Sequence, residues 1–232
     1  HGSLHGGADA LRRAWGNGPG YRLLHALPMT HAHGLVIALM PLLLAGGSVC
    51  LRPWFDAADV TLRLPAATCF MGVPFHYAQL MVQPGFGPEA AAGLRLLTCG
   101  SAPLPEDLRR SVEARIGRPM LERYGMTETL ITVANTPGAH RPGSVGRALP
   151  GVELRLRTLD AGTIAAPGEE GEVEVRGPFV FEGYLDDPDE TARAFREDGF
   201  FRTGDVGRLD EDGFLVLAGR AKDLIVYAGL KV

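Results

Sequence analysis

A chain of 232 residues, 46% hydrophobic and 22% charged, is long enough to bury the core of one large domain or of one and a half small ones. With 23 basic against 27 acidic residues the net charge is -4, and no basic run forms a patch, which argues against a nucleic-acid partner. The longest apolar run, residues 35–45, is broken by Pro41 and falls short of the ~20 residues a bilayer requires, so no membrane span is expected. The first residues show no signal-peptide pattern, so none is expected, and Cys50, Cys69 and Cys99 form no CxxC pair. They read as reduced core residues of a cytoplasmic protein.

The first residues read as part of a helix. From 23 to 124 short apolar runs alternate with helical patterns. Strands are expected at 23–28, 48–52, 67–72, 94–100 and 119–125, and helices over 33–45, over 56–64, from Pro74 and over 101–117. In the last of these helices Leu108, Val112 and Ile116 recur at i, i+4 and i+8. Such alternation predicts a parallel sheet layered with helices. From 144 onward the pattern turns to β, with expected strands at 152–158, 171–177, 200–210 and 214–219 and a short helix over 188–197. The expected organisation is an α/β subdomain over 1–137, a smaller β-rich, barrel-like subdomain over 138–219 and a hinge over 220–232. The Gly/Pro-rich stretch 137–151 joins the first two.

Residues 122–129, ERYGMTET, carry the first chemical signal. Their first residues end a strand, and 124–129 sit at its carboxyl end, where open parallel sheets bind ligands. The Glu128 carboxylate beside the Thr127 hydroxyl suits Mg²⁺ and a phosphate, since Mg²⁺ takes one or two carboxylates plus phosphate oxygens. Tyr124 offers a flat face to a base. Thr127 and Glu128 also fit the cap of a following helix, and the stretch alone leaves both readings open.

RYGMTET resembles a signature of the acyl-adenylate-forming (AMP-binding) superfamily, and five further stretches fit that superfamily's order. These are LLHALPMTHAHGL (23–35), TCGSAPLP (98–105), GEVEVRGPFVFEGYLDDPDET (171–191), FRTGDVGRLDEDGFLVLAGR (201–220) and GRAKDLIVYAGLKV (219–232). The likeness covers nearly the whole chain and is strongest to malonyl-CoA synthetases. It implies an ATP-dependent ligase that forms an acyl-AMP from a small carboxylic acid and passes the acyl group to CoA or to a carrier protein. A non-catalytic nucleotide-binding remnant is the alternative.

The resemblance also implies roles. Gly100, Ser101 and Ala102 lie along the adenine edge with Tyr124 on its face. Asp205, in the turn TGD, takes the ribose hydroxyls, and Arg220 adds a charge-assisted contact to ribose or phosphate. Thr127 meets the α-phosphate and Glu128 holds Mg²⁺. Lys222 falls at the hinge. Ser101 is no nucleophile, because no G-x-S-x-G surrounds it. The superfamily's Gly/Ser/Thr-rich phosphate loop and its C-terminal adenylation lysine match nothing in these residues, so the chain reads as a fragment that should not turn over alone.

His31 is expected at the gate near the acyl carboxylate, with Ala32 and Met126 shaping the pocket. His31 and His33 alternate, which in an extended segment places both on one side; as metal ligands they have only His25 as a local third partner. Malonyl-CoA synthetases carry an arginine in the helix after GVP that pairs with the distal carboxylate. That slot is Gln79 here, with His76 one turn earlier. Loss of a bidentate cation predicts a less charged acid than malonate.

Overall fold

A computed structural model describes residues 1–221 and the backbone of 226–227 and 230–231. Lys222, the expected hinge residue, lies outside the described residues.

Helix α1 (Gly2–Ala14) opens the chain and buries Ala8 and Leu11, with Trp15 just beyond it donating from Nε1 to the Asn135 carbonyl at 3.2 Å. Strands β1 (Arg22–His25), β2 (Ser48–Leu51), β3 (Cys69–Gly72), β4 (Leu96–Cys99) and β5 (Leu121–Met126) run parallel in the order β2-β1-β3-β4-β5. Adjacent strand residues point to opposite faces, and both faces are apolar. Leu23, Cys69 and Leu96 pack with α1, a π-helix (His33–Leu39) and α2 (Met40–Leu44), while Leu24, Phe70 and Leu97 pack with α3 (Ala57–Arg63), α4 (Pro74–Met81) and α5 (Glu106–Ile116). Burial on two sides explains why these strands read as continuous apolar runs. Cys69 and Cys99 are free and buried, as expected, whereas Cys50 is exposed on the edge strand β2.

After Met126 the chain forms neither a helix cap nor a helix. It turns back through Thr127–Thr129 into an antiparallel strand, β6 (Leu130–Ala134), closed by Thr129 N–H to the Met126 carbonyl at 3.2 Å. The helix-cap reading of Thr127 and Glu128 is thereby overturned. Any Cβ at Gly125 would run into the Leu130 carbonyl, so the hairpin requires glycine there. Strand β7 (Arg147–Ala148), from the joining stretch, completes the first sheet beside β6.

The second sheet is antiparallel, in the order β11-β10-β9-β8: β8 (Glu153–Arg157), β9 (Glu170–Arg176), β10 (Phe201–Leu209) and β11 (Leu215–Arg220). Helix α6 (Pro188–Ala194) precedes β10, and the short β12 (Val226–Tyr227) and β13 (Leu230–Lys231) pair with each other. The two large sheets share a core of Tyr124, Val133, Leu156, Val173, Val175, Phe201 and Leu215. Val145 N–H also donates to the Leu215 carbonyl at 2.9 Å, and the guanidinium groups of Arg141 and Arg147 stand over the Phe214 ring, 4.5 and 4.4 Å from its centre. Among the described residues no helix is long and apolar enough to cross a membrane.

Candidate nucleotide and acyl site

A cavity of about 680 Å³ opens where the ends of β4 and β5 meet the second sheet. Its walls include Gly100, Ser101, Ala102, Glu122, Tyr124, Asp205 and Arg220. The six residues expected to hold base and ribose are therefore brought together from two sheets. A hollow of about 480 Å³ against β1 and β2 contains none of the expected site residues.

Asp205 does not sit in a turn. It lies within β10, at a shift of register against β9 between Arg202 and Val206. Such bulges re-aim side chains. The Tyr124 hydroxyl donates to its Oδ2 at 2.6 Å, and Arg220 Nε approaches Oδ1 at 3.2 Å. Burial, then the facing Asp205 carboxylate, drives the Tyr124 phenol well above its ordinary pKa, so it remains a donor. Tyr124 as a whole is 7% exposed.

The second cluster is one the sequence motifs did not single out. Arg123 is buried, and among the described residues no carboxylate pairs with it. Its Nη2 donates to Ser101 Oγ at 3.0 Å, and Ser101 Oγ lies 3.1 Å from His33 Nδ1. The guanidinium also fills the space above Gly100, where a Cβ would come within 2.6 Å of it. Ser101 is held at φ 68°, a costly conformation for a residue with a side chain. Its hydroxyl has one proton. Arginine can only donate, so the serine accepts from Arg123, while its contact with His33 Nδ1 takes its direction from the imidazole tautomer. Burial, then the Arg123 charge, pushes the His33 pKa down to about 2, so this imidazole is neutral. Among the described residues, His33 Nε2 and Arg123 Nε are both buried with no hydrogen-bond partner.

The remaining expected residues are dispersed. His33 begins the π-helix and is buried, whereas His31 is exposed in the preceding turn. The extended segment that would place both on one side is not formed, because helical geometry begins between them. Ala32 caps the π-helix and Met126 ends β5, both half-buried. His76 stacks on Phe55 with ring centres 4.0 Å apart, and burial pushes its pKa down to about 4. Gln79, on the same helix, is exposed. Thr127 is exposed and Glu128 half-buried, in the turn just past Gly125, which lines the cavity.

A family profile described as "AMP-binding enzyme" matches residues 1–185. The chain belongs to this family. A malonate–CoA ligase of Arabidopsis thaliana is 34% identical over 256 residues, spanning all of this chain and 41% of the relative. A long-chain-fatty-acid–CoA ligase of Bacillus subtilis is 34% identical over 216 residues, spanning 91% of this chain and 38% of the relative. Among solved structures, ATP-bound MatB from Rhodopseudomonas palustris superposes with a TM-score of 0.97 at 42% identity, over all of this chain and 46% of that one. The chain thus spans less than half the length of these relatives.

For this member of the family, Thr127 and Glu128 fit a Mg²⁺ that arrives with phosphates. Glu128 Oε1 accepts from the Tyr184 hydroxyl at 3.2 Å, and no cation pairs with Glu128 among the described residues. No group of three or more metal-binding side chains occurs among them, so phosphate and water would supply most ligands, as Mg²⁺ prefers.

Glu122 adds a pH-dependent element to the cavity. Burial, partly offset by the charge of Arg109 and the Gly143 N–H, pushes its pKa up to about 7. A carboxyl raised above its unfolded value of about 4.5 costs stability as pH rises through the interval up to its folded value. Glu122→Gln should therefore gain about 1–2 kcal/mol over the parent at pH 8, allowing for screening at the half-exposed carboxyl, and nothing at pH 4. Denaturation at the two pH values measures this; a pH-independent difference would rule out the ionisation account.

Proposed function

We propose that this chain forms the base-, ribose- and acyl-binding part of an ATP-dependent acid–CoA ligase, and that its acid is short and carries a second anionic group. Family relatives act on acids as different as malonate and long-chain fatty acids, so likeness alone does not choose one. What supports a choice is Arg123, a buried guanidinium that no carboxylate pairs with among the described residues, beside a neutral His33 whose Nε2 has no partner among them. Burying an unpaired charge is costly, and a distal carboxylate would relieve that cost. This reading replaces the expectation built on Gln79, which is exposed.

In the proposed reaction one acid carboxylate attacks the α-phosphorus of ATP, giving acyl-AMP and pyrophosphate. The CoA thiol then attacks the acyl carbonyl and AMP leaves. Asp205 and Tyr124 fix the ribose, the Gly100–Ala102 backbone borders the base, and Thr127 meets the α-phosphate. Arg123 and His33 hold the far end of the acid, so the reacting carboxylate reaches the phosphorus in one orientation. Mg²⁺, when bound through Glu128, supplies charge neutralisation at the phosphates. A cytosolic setting suits the three free thiols.

The test is ATP–pyrophosphate exchange by the full-length protein. Malonate should exceed propionate in kcat/KM by about 10²-fold, the worth of a charged hydrogen-bonded pair. A preference for propionate would overturn the anionic-acid assignment, and AMP binding without exchange on any acid would favour the non-catalytic remnant. A carrier protein outperforming CoA as acceptor would replace CoA in the second step.

A further inference from the structure

The loop between β9 and α6 is built to aim one phenol at Glu128. Asp187 caps α6 by accepting from Glu190 N–H at 2.9 Å, with Pro188 in the first helical position. Thr191 Oγ1 donates to the Asp187 carbonyl at 2.8 Å and accepts from Tyr184 N–H at 2.9 Å. A Cβ at Gly183 would meet that Thr191 side chain at 2.7 Å, so only glycine lets the loop close on it. The Tyr184 ring then rests edge-on against Phe181, with centres 4.9 Å apart. Two bonds lead from this arrangement to one residue of the first sheet's hairpin: Phe181 N–H to the Glu128 carbonyl at 2.7 Å, and Tyr184 O–H to Glu128 Oε1 at 3.2 Å.

We infer that Tyr184 is a positioning residue, which fixes the Glu128 carboxylate so that one oxygen is spent and the other faces the metal–phosphate ligand. A carboxylate on a free rotor samples several orientations, whereas Mg²⁺ demands near-ideal octahedral geometry. Locking the supporting shell is what makes such a site tight. The inference rests on Glu128 as the metal ligand of the proposed ligase. It adds that metal affinity depends on a loop of the second sheet.

The variant is Tyr184→Phe in the full-length protein, which keeps the ring on Phe181 and removes the hydroxyl. Mn²⁺ serves as the paramagnetic probe, titrated against protein saturated with a non-hydrolysable ATP analogue. The apparent Mn²⁺ dissociation constant should rise about fivefold, the effect of one hydrogen bond of about 1 kcal/mol. AMP affinity in EDTA and the thermal midpoint should stay within error. Unchanged Mn²⁺ affinity would overturn the assignment and leave Tyr184 a packing residue. Equal weakening of AMP in EDTA would also overturn it, by making the loop a general support of the cavity. Absence of exchange with every acid would count against the ligase reading alone, because the Mn²⁺ titration needs no turnover.

Discussion

Replacing Arg123 by glutamine in the full-length protein should lower kcat/KM for a short dicarboxylic acid by about 10²–10³, with less than about a tenfold change for propionate. Truncating one member of a desolvated, hydrogen-bonded charge pair costs about 2–5 kcal/mol, and Arg123 meets that description once an anionic acid is bound. Without the acid the same residue is a liability, since burial pulls its pKa down to about 10 and no carboxylate opposes it among the described residues. Arg123→Gln should therefore leave the thermal midpoint unchanged or raised. That pairing of lost activity with retained stability marks a site residue. Arg123→Lys should recover part of the loss, because it restores the charge without the planar fork. Exchange assays on both acids decide the matter. A parallel loss for malonate and propionate would make Arg123 a structural residue.

Glu174→Ala should cost about 3 kcal/mol, seen as a fall of about 10² in amide-exchange protection over β8–β10. Glu174 is fully buried on β9, yet Arg155 reaches it at 2.6 Å, Arg157 at 3.1 Å and Arg196 at 2.7 Å. Burial pushes its pKa up, but the three guanidiniums more than reverse this and the net shift is downward. A carboxylate held below its unfolded pKa contributes stability above the ordinary carboxylate range that is lost as pH falls through it. The lower part of the range for a broken buried pair applies because Arg155 keeps Asp198 and Arg196 keeps Glu172. The difference between variant and parent should shrink as the solution is acidified. A loss below about 0.5 kcal/mol would show that the three arginines find equal partners elsewhere.

The alternation of strands and helices over 23–125 was legible because each strand buries both faces, so apolar runs and helical spacing separate cleanly. Strand β6 was not, since Leu130–Ala134 follows three residues that suit a helix start as well as a turn; the Gly125–Leu130 contact that decides between them is tertiary. The period-2 pattern of β8 and β9 was legible, but it gives no sign that Glu174 is shielded by arginines from two other segments. The residues expected at base and ribose, which line one cavity, were picked out through ordered motifs. Arg123 stood inside one of those motifs without drawing notice, because a lone arginine reads as a surface charge until its burial and missing counter-ion are seen. The separation of His31 from His33 depended on where the π-helix begins.

The cavity takes Gly100 and Tyr124 from one sheet and Asp205 and Arg220 from the other, so a ligand there would have a mechanical as well as a chemical effect. Prying the sheets apart at Val145–Leu215 would also tear the ligand from one of its walls. Nucleotide at a hundred times its dissociation constant makes such opening about 2.7 kcal/mol harder. A bound nucleotide would thus brace a seam between two sheets that already share a core, before any bond is made or broken.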